Sequence, residues 1–363
     1  FKQKTAYEML RSLVGSEMCI RDRSGETEAF PLDAIRSFLG RLFGAPVQIE
    51  DVVPLVGGAY RKAWRFEAVY EESGQARRAA LVYREPPSPG TLSIPAHLEQ
   101  RVMWAAKNWG VPVPSIVPLA PDRDPDAPPG IIMEFVQGES LPRRLLARAS
   151  DEGWRARFVS DLAQAAARIH SLPPGELGLD ELPQPAKGDG GASHQLETWE
   201  RLYREQPLGE RPVLELALRW LRIHRPPPQE PRLVHGDFRL GNFIVGEGGL
   251  AAVIDFEGAH LGDPMEDLGW LCLRSWRPGR EGWPVAGLGS KEEFAREYER
   301  AGGAIDWGRW HYWEVMGNLK WAVFCLLQAH RALTALRSDL PTLAVGRRLA
   351  EAEWEILQLL ESA

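Results

Sequence analysis

The sequence contains little cysteine and no long apolar run. Its 363 residues include 3 Cys, with no CxxC pair and no spacing typical of metal ligands. This scarcity argues against a disulfide scaffold and fits a reducing compartment, so we predict a cytoplasmic protein. No apolar stretch approaches the length that a membrane-spanning helix requires, and we therefore predict no membrane partner.

An excess of positive charge is also missing. Lys and Arg number 43 against 50 Asp and Glu, which gives a formal net charge of −7. Non-specific binding to nucleic acid relies on a cationic surface. We therefore predict no nucleic-acid partner, although this charge balance is compatible with a local basic pocket.

Residues 1–23 do not fit the pattern of the rest of the chain. Charges interrupt their apolar residues, and they lack the apolar core of a signal peptide. We interpret this segment as a non-native or disordered extension, similar to translated sequencing-adapter sequence. In the alternative interpretation it is a native amphipathic extension in which Leu13 and Val14 pack on the body.

The remaining chain changes character near residue 137. Before it, strand-like stretches flank a Gly turn and alternate with one main helix at 95–109, after an opening helix at 30–44. The stretch GVPVPSIVPLAP is also predicted to be extended. After residue 137 the pattern is mostly helical, with a long amphipathic helix at 151–172 and a final helix near 342–361. We therefore predict an α+β fold with two lobes.

The most informative stretch is LVHGDFRLGNFIV, residues 233–245. Its Asp237 can accept a proton from a substrate hydroxyl, and its Asn242 can bind Mg²⁺ through the amide oxygen. Asp255, in the following IDFE stretch, adds an anionic ligand. Because Mg²⁺ prefers oxygen ligands and substrate phosphates, the combination predicts phosphoryl transfer. The alternative is a polar turn whose groups satisfy one another.

HGDFRLGN followed by IDFE resembles the aminoglycoside phosphotransferase and choline kinase family, which shares the protein-kinase-like fold. The similarity extends over nearly all of the chain after residue 24. It implies an ATP-binding N-lobe at 24–136, made of a small β-sheet with one main helix. It also implies a larger, mostly helical C-lobe at 137–363 with the catalytic loop, the metal site and the acceptor site.

The resemblance implies an enzyme that uses ATP and Mg²⁺ to phosphorylate a hydroxyl group of a small molecule. Asp237 corresponds to the catalytic base, and Asn242 and Asp255 correspond to the Mg²⁺ ligands. Arg239 stands where protein kinases have a Lys that neutralises the transferred phosphate, and Arg can bind a phosphate through two N–H groups. His235 is expected to support the loop by hydrogen bonding.

The resemblance also implies the residues that bind the nucleotide. Gly57 and Gly58 correspond to the Gly turn over the ATP phosphates. Arg84, in ALVYRE, corresponds to the ATP-contacting cation, and Glu99 corresponds to its partner on the helix. The backbone of Glu134–Val136 corresponds to the inter-lobe segment that binds adenine.

Each of these N-lobe features has a simpler interpretation. Gly pairs are common in hairpins, and Arg84 and Glu99 could each form a surface salt bridge. Glu134–Val136 could be one more core strand. Tyr60 stands where relatives often have Ser, so a hydroxyl contact to phosphate from that position stays open.

HLGDPMEDLGWL, residues 260–271, is a further family-like element. Asp263 could support the metal site, whereas we expect Asp267 to cap and stabilise a helix. Glu257 replaces the Gly of the protein-kinase DFG sequence. It could contact metal or acceptor, or it could be structural.

The acceptor site of this fold is built mainly by C-lobe helices. Arg274, Arg277 and Arg280 follow the metal loop, and several Trp add apolar area. We predict an acceptor with a free hydroxyl and an apolar or anionic portion, not an aminoglycoside. Some relatives are joined to acyl-CoA dehydrogenase domains, which makes an acyl-CoA-like derivative one candidate. Alternatively, the arginines are solvated and the tryptophans are core. The tryptophans are Trp276, Trp283, Trp307, Trp310, Trp313 and Trp321.

Two classes of function remain open. One is an active small-molecule kinase, and the other is an ATP-binding pseudoenzyme or interaction module on the same fold. The presence of Asp237, Asn242 and Asp255 together favours activity. The lack of an HRD triplet and of an APE element disfavours a protein kinase.

Overall fold

A four-stranded antiparallel sheet with the order β1-β2-β3-β4 forms the N-terminal part of the chain. The computed structural model describes residues 30–55, 61–88, 91–117, 127–334 and 340–362. The strands are β1 Gln48–Leu55, β2 Ala63–Glu72, β3 Gln75–Arg84 and β4 Ile131–Glu134, and the helices that accompany them are α1 Leu32–Phe43 and α2 Ala96–Asn108.

The β2–β3 hairpin sets the position of Arg84. Its turn residues, Ser73 and Gly74, have φ values of 52° and 75°. Two successive residues with positive φ form the tight turn that matches the twist of a hairpin. The register pairs Ala63 with Arg84. Arg84 therefore lies beside the start of β2, at the end of the hairpin opposite to its turn.

The sheet is packed on both faces. Side chains of a strand point alternately to its two sides, and in β4 Ile132 belongs to a small core under α1 that includes Ile35 and Phe66. Ile131 and Met133 belong to a larger core that continues from α2 into the helical part. This larger core joins the sheet to the C-terminal helices.

Helices dominate the chain after β4, and the longest of them, of 28 residues, packs against several others. None of the helices in the described ranges combines the length and the apolarity needed to cross a bilayer. The helices are α3 Pro142–Arg148, α4 Glu152–Ser171, α5 Ala192–Glu205, α6 Pro212–Ile223, α7 Met265–Leu271, α8 Lys291–Arg300, α9 Trp307–Thr334, α10 Leu340–Gly346 and α11 Leu349–Glu361.

Helix α4 confirms the long amphipathic pattern predicted at 151–172. It begins after Asp151, whose carboxylate accepts a hydrogen bond from the Trp154 N–H at 3.1 Å and so caps the first turn. The four side chains predicted to face inward are fully buried, and they are Phe158, Leu162, Ala166 and Ile169.

Two predicted elements differ in the structure. The single helix predicted near 342–361 is the pair α10 and α11. The chain turns after Gly346, which packs so closely on α9 that a Cβ there would lie 2.8 Å from the Ala329 Cβ. Of the stretch predicted to be extended at 110–121, the described residues 110–117 form an isolated bridge between Ile116 and Met133, and their prolines lack the N–H that a strand ladder needs. Residues 118–121 lie outside the described residues.

Four short strands hold the two sequence motifs. β5 Arg232–Val234 pairs with β8 His260–Gly262, and β6 Phe243–Gly246 pairs with β7 Gly249–Val253. HGDFRLGN therefore joins β5 to β6, and IDFE follows β7. Because Phe243 pairs with Val253, the end of the first motif and the start of the second lie side by side.

Candidate active site

The loop between β5 and β6 packs directly on the turn that follows β7. Gly236 has a φ of 82°, and a Cβ at this position would lie 2.2 Å from the Gly258 carbonyl oxygen. Only glycine combines this backbone conformation with such a close approach. Gly236 thus lets the two motifs meet, and it sets the backbone immediately before Asp237.

The Asp237 carboxylate accepts three hydrogen bonds from side chains. Arg239 Nε and Trp270 Nε1 both donate to Oδ1, at 2.8 and 2.7 Å, and Asn242 Nδ2 donates to Oδ2 at 2.7 Å. Burial alone would lower the pKa of Arg239, but the Asp237 charge raises it above its ordinary value. The carboxylate is therefore fixed in orientation and faces a guanidinium that stays charged.

The orientation of Asn242 follows from its partners. Its Nδ2 donates to the Asp237 carboxylate and also to the Asp237 backbone carbonyl at 2.9 Å. Both partners are acceptors, so they must face the amide NH₂ group. The amide oxygen is left as an acceptor, which is the atom that a hard cation such as Mg²⁺ binds.

Asp255 lies next to Asn242 because the Ile254 N–H donates to the Asn242 carbonyl at 2.9 Å. Its backbone has φ 72° and ψ 58°, a left-handed conformation that is unfavourable for a residue with a Cβ. Such strain concentrates at functional positions. In the described residues, no group of three His, Cys, Asp or Glu side chains is placed to hold a metal ion. Mg²⁺ needs only one or two protein ligands, because phosphates and water complete its shell, and the oxygens of Asn242 and Asp255 fit this requirement.

His235 supports the loop, as expected. Its Nδ1 accepts a hydrogen bond from the Asp237 N–H at 3.2 Å, and its Nε2 lies 3.1 Å from the Ile254 carbonyl oxygen. The ring must therefore be the Nε2–H tautomer, which donates to that carbonyl. His235 thereby connects the backbone of Asp237 to the residue that precedes Asp255.

Asp267 does not cap its own helix, so that prediction is wrong. It is fully buried in α7, and its carboxylate accepts hydrogen bonds from the backbone N–H groups of His235 and Gly236 at 2.8 and 2.9 Å. His170 Nε2 lies 3.0 Å from the same carboxylate, and Tyr298 lies 2.7 Å from His170 Nδ1. Burial would raise the pKa of Asp267, but these hydrogen bonds hold it below its usual range.

A network of ion pairs connects the N-terminal sheet to the IDFE motif. Glu99, which is fully buried, binds Arg84 Nη1 at 2.9 Å and Arg61 Nη1 at 2.6 Å. Arg84 Nη2 also contacts Asp255 at 2.6 Å and Glu257 at 2.7 Å. The Arg84–Glu99 pair expected from the sequence is therefore present, and Arg84 extends it to Asp255.

The network sets the protonation of its members. Burial would lower the pKa of Arg84, but the charges of Glu99, Asp255 and Glu257 raise it above its ordinary value. Burial, and then the Asp255 charge, raise the pKa of Glu257 above its ordinary value of 4.5. Arg84 is thus a permanent cation, and burial beside Asp255 disfavours the charged form of Glu257.

The arrangement agrees with comparisons against known proteins. A family model described as the phosphotransferase enzyme family matches residues 58–313. The chain belongs to this phosphotransferase family. Mouse acyl-CoA dehydrogenase family member 10 is 30% identical over 299 residues, which cover 76% of this chain and 27% of that protein. The chain spans about a quarter to a third of the length of the first curated relatives it matches.

Two solved structures establish the fold. A Ralstonia eutropha protein grouped with the aminoglycoside phosphotransferases has a TM-score of 0.65 at 23% identity and covers 91% of this chain and 99% of its own. Aminoglycoside phosphotransferase APH(4)-Ia, in complex with ADP and hygromycin B, has a TM-score of 0.58 at 17% identity, with coverages of 91% and 99%. The phosphotransferase therefore has the predicted α+β, two-lobed, protein-kinase-like fold.

In the inter-lobe segment Glu134–Val136, the first two backbone N–H groups are hydrogen-bonded within the protein. The Glu134 N–H donates to the Ser115 carbonyl at 2.8 Å, and the Phe135 N–H donates to the Ala80 carbonyl at 2.9 Å. Among the described residues, no backbone acceptor takes the Val136 N–H. Gly57, Gly58 and Tyr60 of this phosphotransferase lie outside the described residues.

Other sequence candidates have structural partners. Asp263 accepts hydrogen bonds from the Met265 N–H and from Arg309 Nη1, both at 2.9 Å, so these contacts join α7 to α9 and do not involve Asn242 or Asp255. Arg277 is buried against Glu355 and donates to the Cys272 carbonyl at 3.0 Å. The interpretation of Arg277 as a solvated or acceptor-facing cation is therefore wrong.

Arg274 and Arg280 also bind within the protein. Arg274 pairs with Glu281 at 2.9 Å, and Arg280 donates to the Leu146 carbonyl at 3.0 Å. Trp276, Trp310, Trp313 and Trp321 are core residues, as in the second interpretation. Trp276 also contacts Arg239, and Trp307 is half-exposed.

Three residues at the site were missed in the sequence. Arg61 lies three residues after Gly58 in the sequence, and a cation near a glycine pair could have indicated an anion site. Trp270 lies in the DLGWL stretch, where a helical Trp is typical of core. Lys320 donates to the Gly236 carbonyl at 3.1 Å and lies 4.7 Å from the Trp270 ring; a single Lys in a long apolar helix gives no such signal.

Proposed function

We propose that this phosphotransferase transfers the γ-phosphoryl group of ATP to a hydroxyl of a small molecule, with Mg²⁺ as cofactor. The observation that supports it is the placement of Asp237, Asn242 and Asp255. The Asp237 carboxylate is fixed in orientation beside the Asn242 amide, and Asp255, whose backbone is strained, lies next to Asn242. Phosphoryl transfer is catalysed mainly by positioning and charge neutralisation, which these groups supply.

In the proposed step, the acceptor oxygen attacks the γ-phosphorus and forms a new P–O bond. The bond between the γ-phosphorus and the β-γ bridging oxygen breaks, and its electron pair leaves with ADP. The hydroxyl proton passes to the Asp237 carboxylate. Arg239, which stays charged beside Asp237, neutralises negative charge on the transferred group.

Asn242 and Asp255 would hold the magnesium ion, as their oxygens fit its preference. When bound, it neutralises charge on the phosphate oxygens. Arg84, positioned by its partner Glu99, would hold the phosphates on the N-lobe side, together with Gly57 and Gly58. The Val136 N–H and the backbone near Glu134 would bind adenine. The ADP bound to APH(4)-Ia, which shares the fold, supports a nucleotide at this place.

The surroundings of Asp237 favour an acceptor with apolar and anionic parts. Trp270, Trp276 and Trp321 form an aromatic cluster, with ring centroids 5.5 Å apart between the first two and 4.8 Å between the last two. Arg239, Lys320 and Arg348 lie over these rings, and their carboxylate partners are Asp237, Glu266 and Glu351. The proposed acceptor packs an apolar part on the rings and pairs an anionic part with one of these cations.

A hydroxylated acyl-CoA-like molecule has this character, because it combines an apolar chain with phosphate groups. The similarity to acyl-CoA dehydrogenase family member 10 supports this candidate. The acceptor can be identified by measuring ATP consumption and phosphorylated product with hydroxyacyl thioesters, sugars and aminoglycosides in parallel. Fastest turnover on kanamycin-like acceptors would refute the preference for an anionic or apolar acceptor.

The function itself is tested with Asp237→Asn, and Asp33→Asn on the exposed surface of α1 is the matched control. The base is lost, so we expect phosphoryl transfer to fall at least about a hundredfold, with nucleotide affinity retained in a fluorescent-nucleotide titration. The control should match the original protein. Nucleotide binding without transfer by either protein on the full acceptor panel would instead support an ATP-binding pseudoenzyme or interaction module.

A further inference from the structure

We propose that Trp270 is a positioning residue for the catalytic base, whose indole N–H helps Arg239 to occupy Oδ1 of Asp237 and so presents Oδ2 to the acceptor hydroxyl. This inference rests on the proposed function. A residue of helix α7 would thus determine which oxygen of the Asp237 carboxylate accepts the proton.

The two oxygens of Asp237 differ in the number of donors they receive. A carboxylate oxygen has two lone pairs in the plane of the group. Those of Oδ1 are taken by Trp270 Nε1 and Arg239 Nε, at 2.7 and 2.8 Å. Within the described part of the chain, Oδ2 receives only Asn242 Nδ2, at 2.7 Å. A proton from the acceptor can therefore be accommodated on Oδ2, on the side of the proposed metal ligand Asn242.

The indole is held firmly enough to act in this way. Trp270 is 6% exposed. The Lys320 ammonium lies 4.7 Å from the centre of its ring and also contacts the carbonyl of Gly236, the residue before Asp237. Trp276 and Trp321 pack against the ring at centroid distances of 5.5 and 6.3 Å.

The backbone beneath the ring is fixed as well. Gly269 lies so close to α9 that a Cβ would be 2.5 Å from the Trp313 carbonyl carbon. The backbones of α7 and α9 are therefore in direct contact at Gly269, next to Trp270.

The direct test is Trp270→Phe, which keeps an aromatic ring and removes the N–H. The matched control is Trp313→Phe, because Trp313 is also buried in the same region and its Nε1 has no hydrogen-bond partner among the described residues. We expect kcat to fall about tenfold in Trp270→Phe with the KM for nucleotide unchanged, and kcat to be retained in Trp313→Phe. An equal loss in both variants would mean that the effect is only one of packing.

A double mutant separates positioning from stability. If Trp270 acts through Asp237, then Trp270→Phe should cause no further loss of the residual activity in the Asp237→Asn background. A purely structural role predicts that the two losses multiply. Multiplicative losses would overturn the proposal.

A spectroscopic readout does not depend on turnover. In a ¹H–¹⁵N spectrum of the indole groups, the Trp270 resonance is the one missing from Trp270→Phe, and we expect it to shift in Asp237→Asn more than that of Trp313. An unshifted Trp270 resonance would exclude the hydrogen bond. If the original protein transfers no phosphoryl group to any acceptor or to water, the proposed function fails, whereas this contact can still be tested.

Discussion

The two sides of the site are built from different interactions. On the C-lobe side, backbone N–H groups of the loop between β5 and β6 donate hydrogen bonds to His235 and to the buried carboxylate of Asp267, whose pKa is lowered, and the Trp270 indole donates to Asp237. On the N-lobe side, two arginines and three carboxylates form a chain of ion pairs from Glu99 to Asp255.

The difference indicates a division of labour. Hydrogen bonds to a peptide backbone demand one geometry, so the C-lobe side is preorganised. The partners of Arg84 are carboxylate oxygens, and phosphate oxygens of a nucleotide can replace them on the same guanidinium. In the proposed function, Arg84 can therefore release the Asp255 and Glu257 carboxylates and bind phosphate oxygens of the nucleotide instead. The following predictions test this contrast.

The largest effect on stability is expected for Glu99→Gln. This substitution leaves Arg61 and Arg84 without their shared buried charge, and breaking such a pair costs about 4 kcal/mol. The free energy of unfolding, measured in denaturant, should fall by that amount, and the KM for ATP should rise. Glu50→Gln is the control, because its pair with Arg78 is exposed and should contribute less than about 1 kcal/mol. A loss no greater than that of the control would show that the ion-pair chain is unimportant for folding.

Asp267→Asn is the corresponding test of the C-lobe side. An amide cannot accept the two backbone N–H groups and the His170 N–H with equal strength, and we expect the free energy of unfolding to drop by about 3 kcal/mol. Because the folded pKa of Asp267 lies below its ordinary value of 3.8, its stabilisation is present above that pH and disappears as the pH falls through the folded pKa.

The measurement is the difference in unfolding free energy between the two proteins as a function of pH. It should be constant at neutral pH and should shrink only in the acid range. A difference that already declines near pH 6 would assign the effect to another group. Asp33→Asn, on the surface of α1, should give no difference.

Gly269→Ala tests whether the spacing of α7 and α9 positions the loop. A methyl group would lie 2.5 Å from the Trp313 backbone, and the overpacking should cost about 2 kcal/mol of stability. Since Trp270 moves with α7, kcat should fall more than the affinity for nucleotide. Gly308→Ala, in the first turn of α9 with only ordinary contacts, should retain both. Normal kcat in Gly269→Ala would show that the helix spacing is not critical.

The smallest change in the free energy of unfolding is expected for Glu257→Gln, and it should be an increase. The folded pKa of Glu257 is raised above 4.5, so the folded protein holds this proton more tightly, and the charged form opposes folding as the pH rises through the folded pKa. The variant should be more stable at neutral pH, and the gain should vanish as the pH falls towards 4.5. A loss of stability at neutral pH would contradict this sign. Glu72→Gln, in an exposed pair with Arg77, is the control.

The fold and the residues of the loop between β5 and β6 could be predicted from the sequence, because both are recognisable from the order and spacing of residues along the chain. The HGD–N spacing lies within eight residues, and Asp255 follows the next strand, so chain connectivity alone places these groups together. The final helix was predicted incorrectly because its break depends on the contact between Gly346 and α9. Asp267 was recognised as structural, but its partners lie 31 and 32 residues earlier, and no helix pattern indicates them.

The sequence by itself determined the phosphotransferase family, the two-lobed architecture and the side chains of the catalytic loop. Only the tertiary structure decided that Arg61 shares Glu99 with Arg84, that Asp267 holds the backbone before Asp237, and that Trp270 contacts the base. A motif fixes which groups are neighbours along the chain. A hydrogen bond requires its atoms within a few tenths of an ångström, and across tens to hundreds of residues that precision comes only from how the helices and the sheet pack.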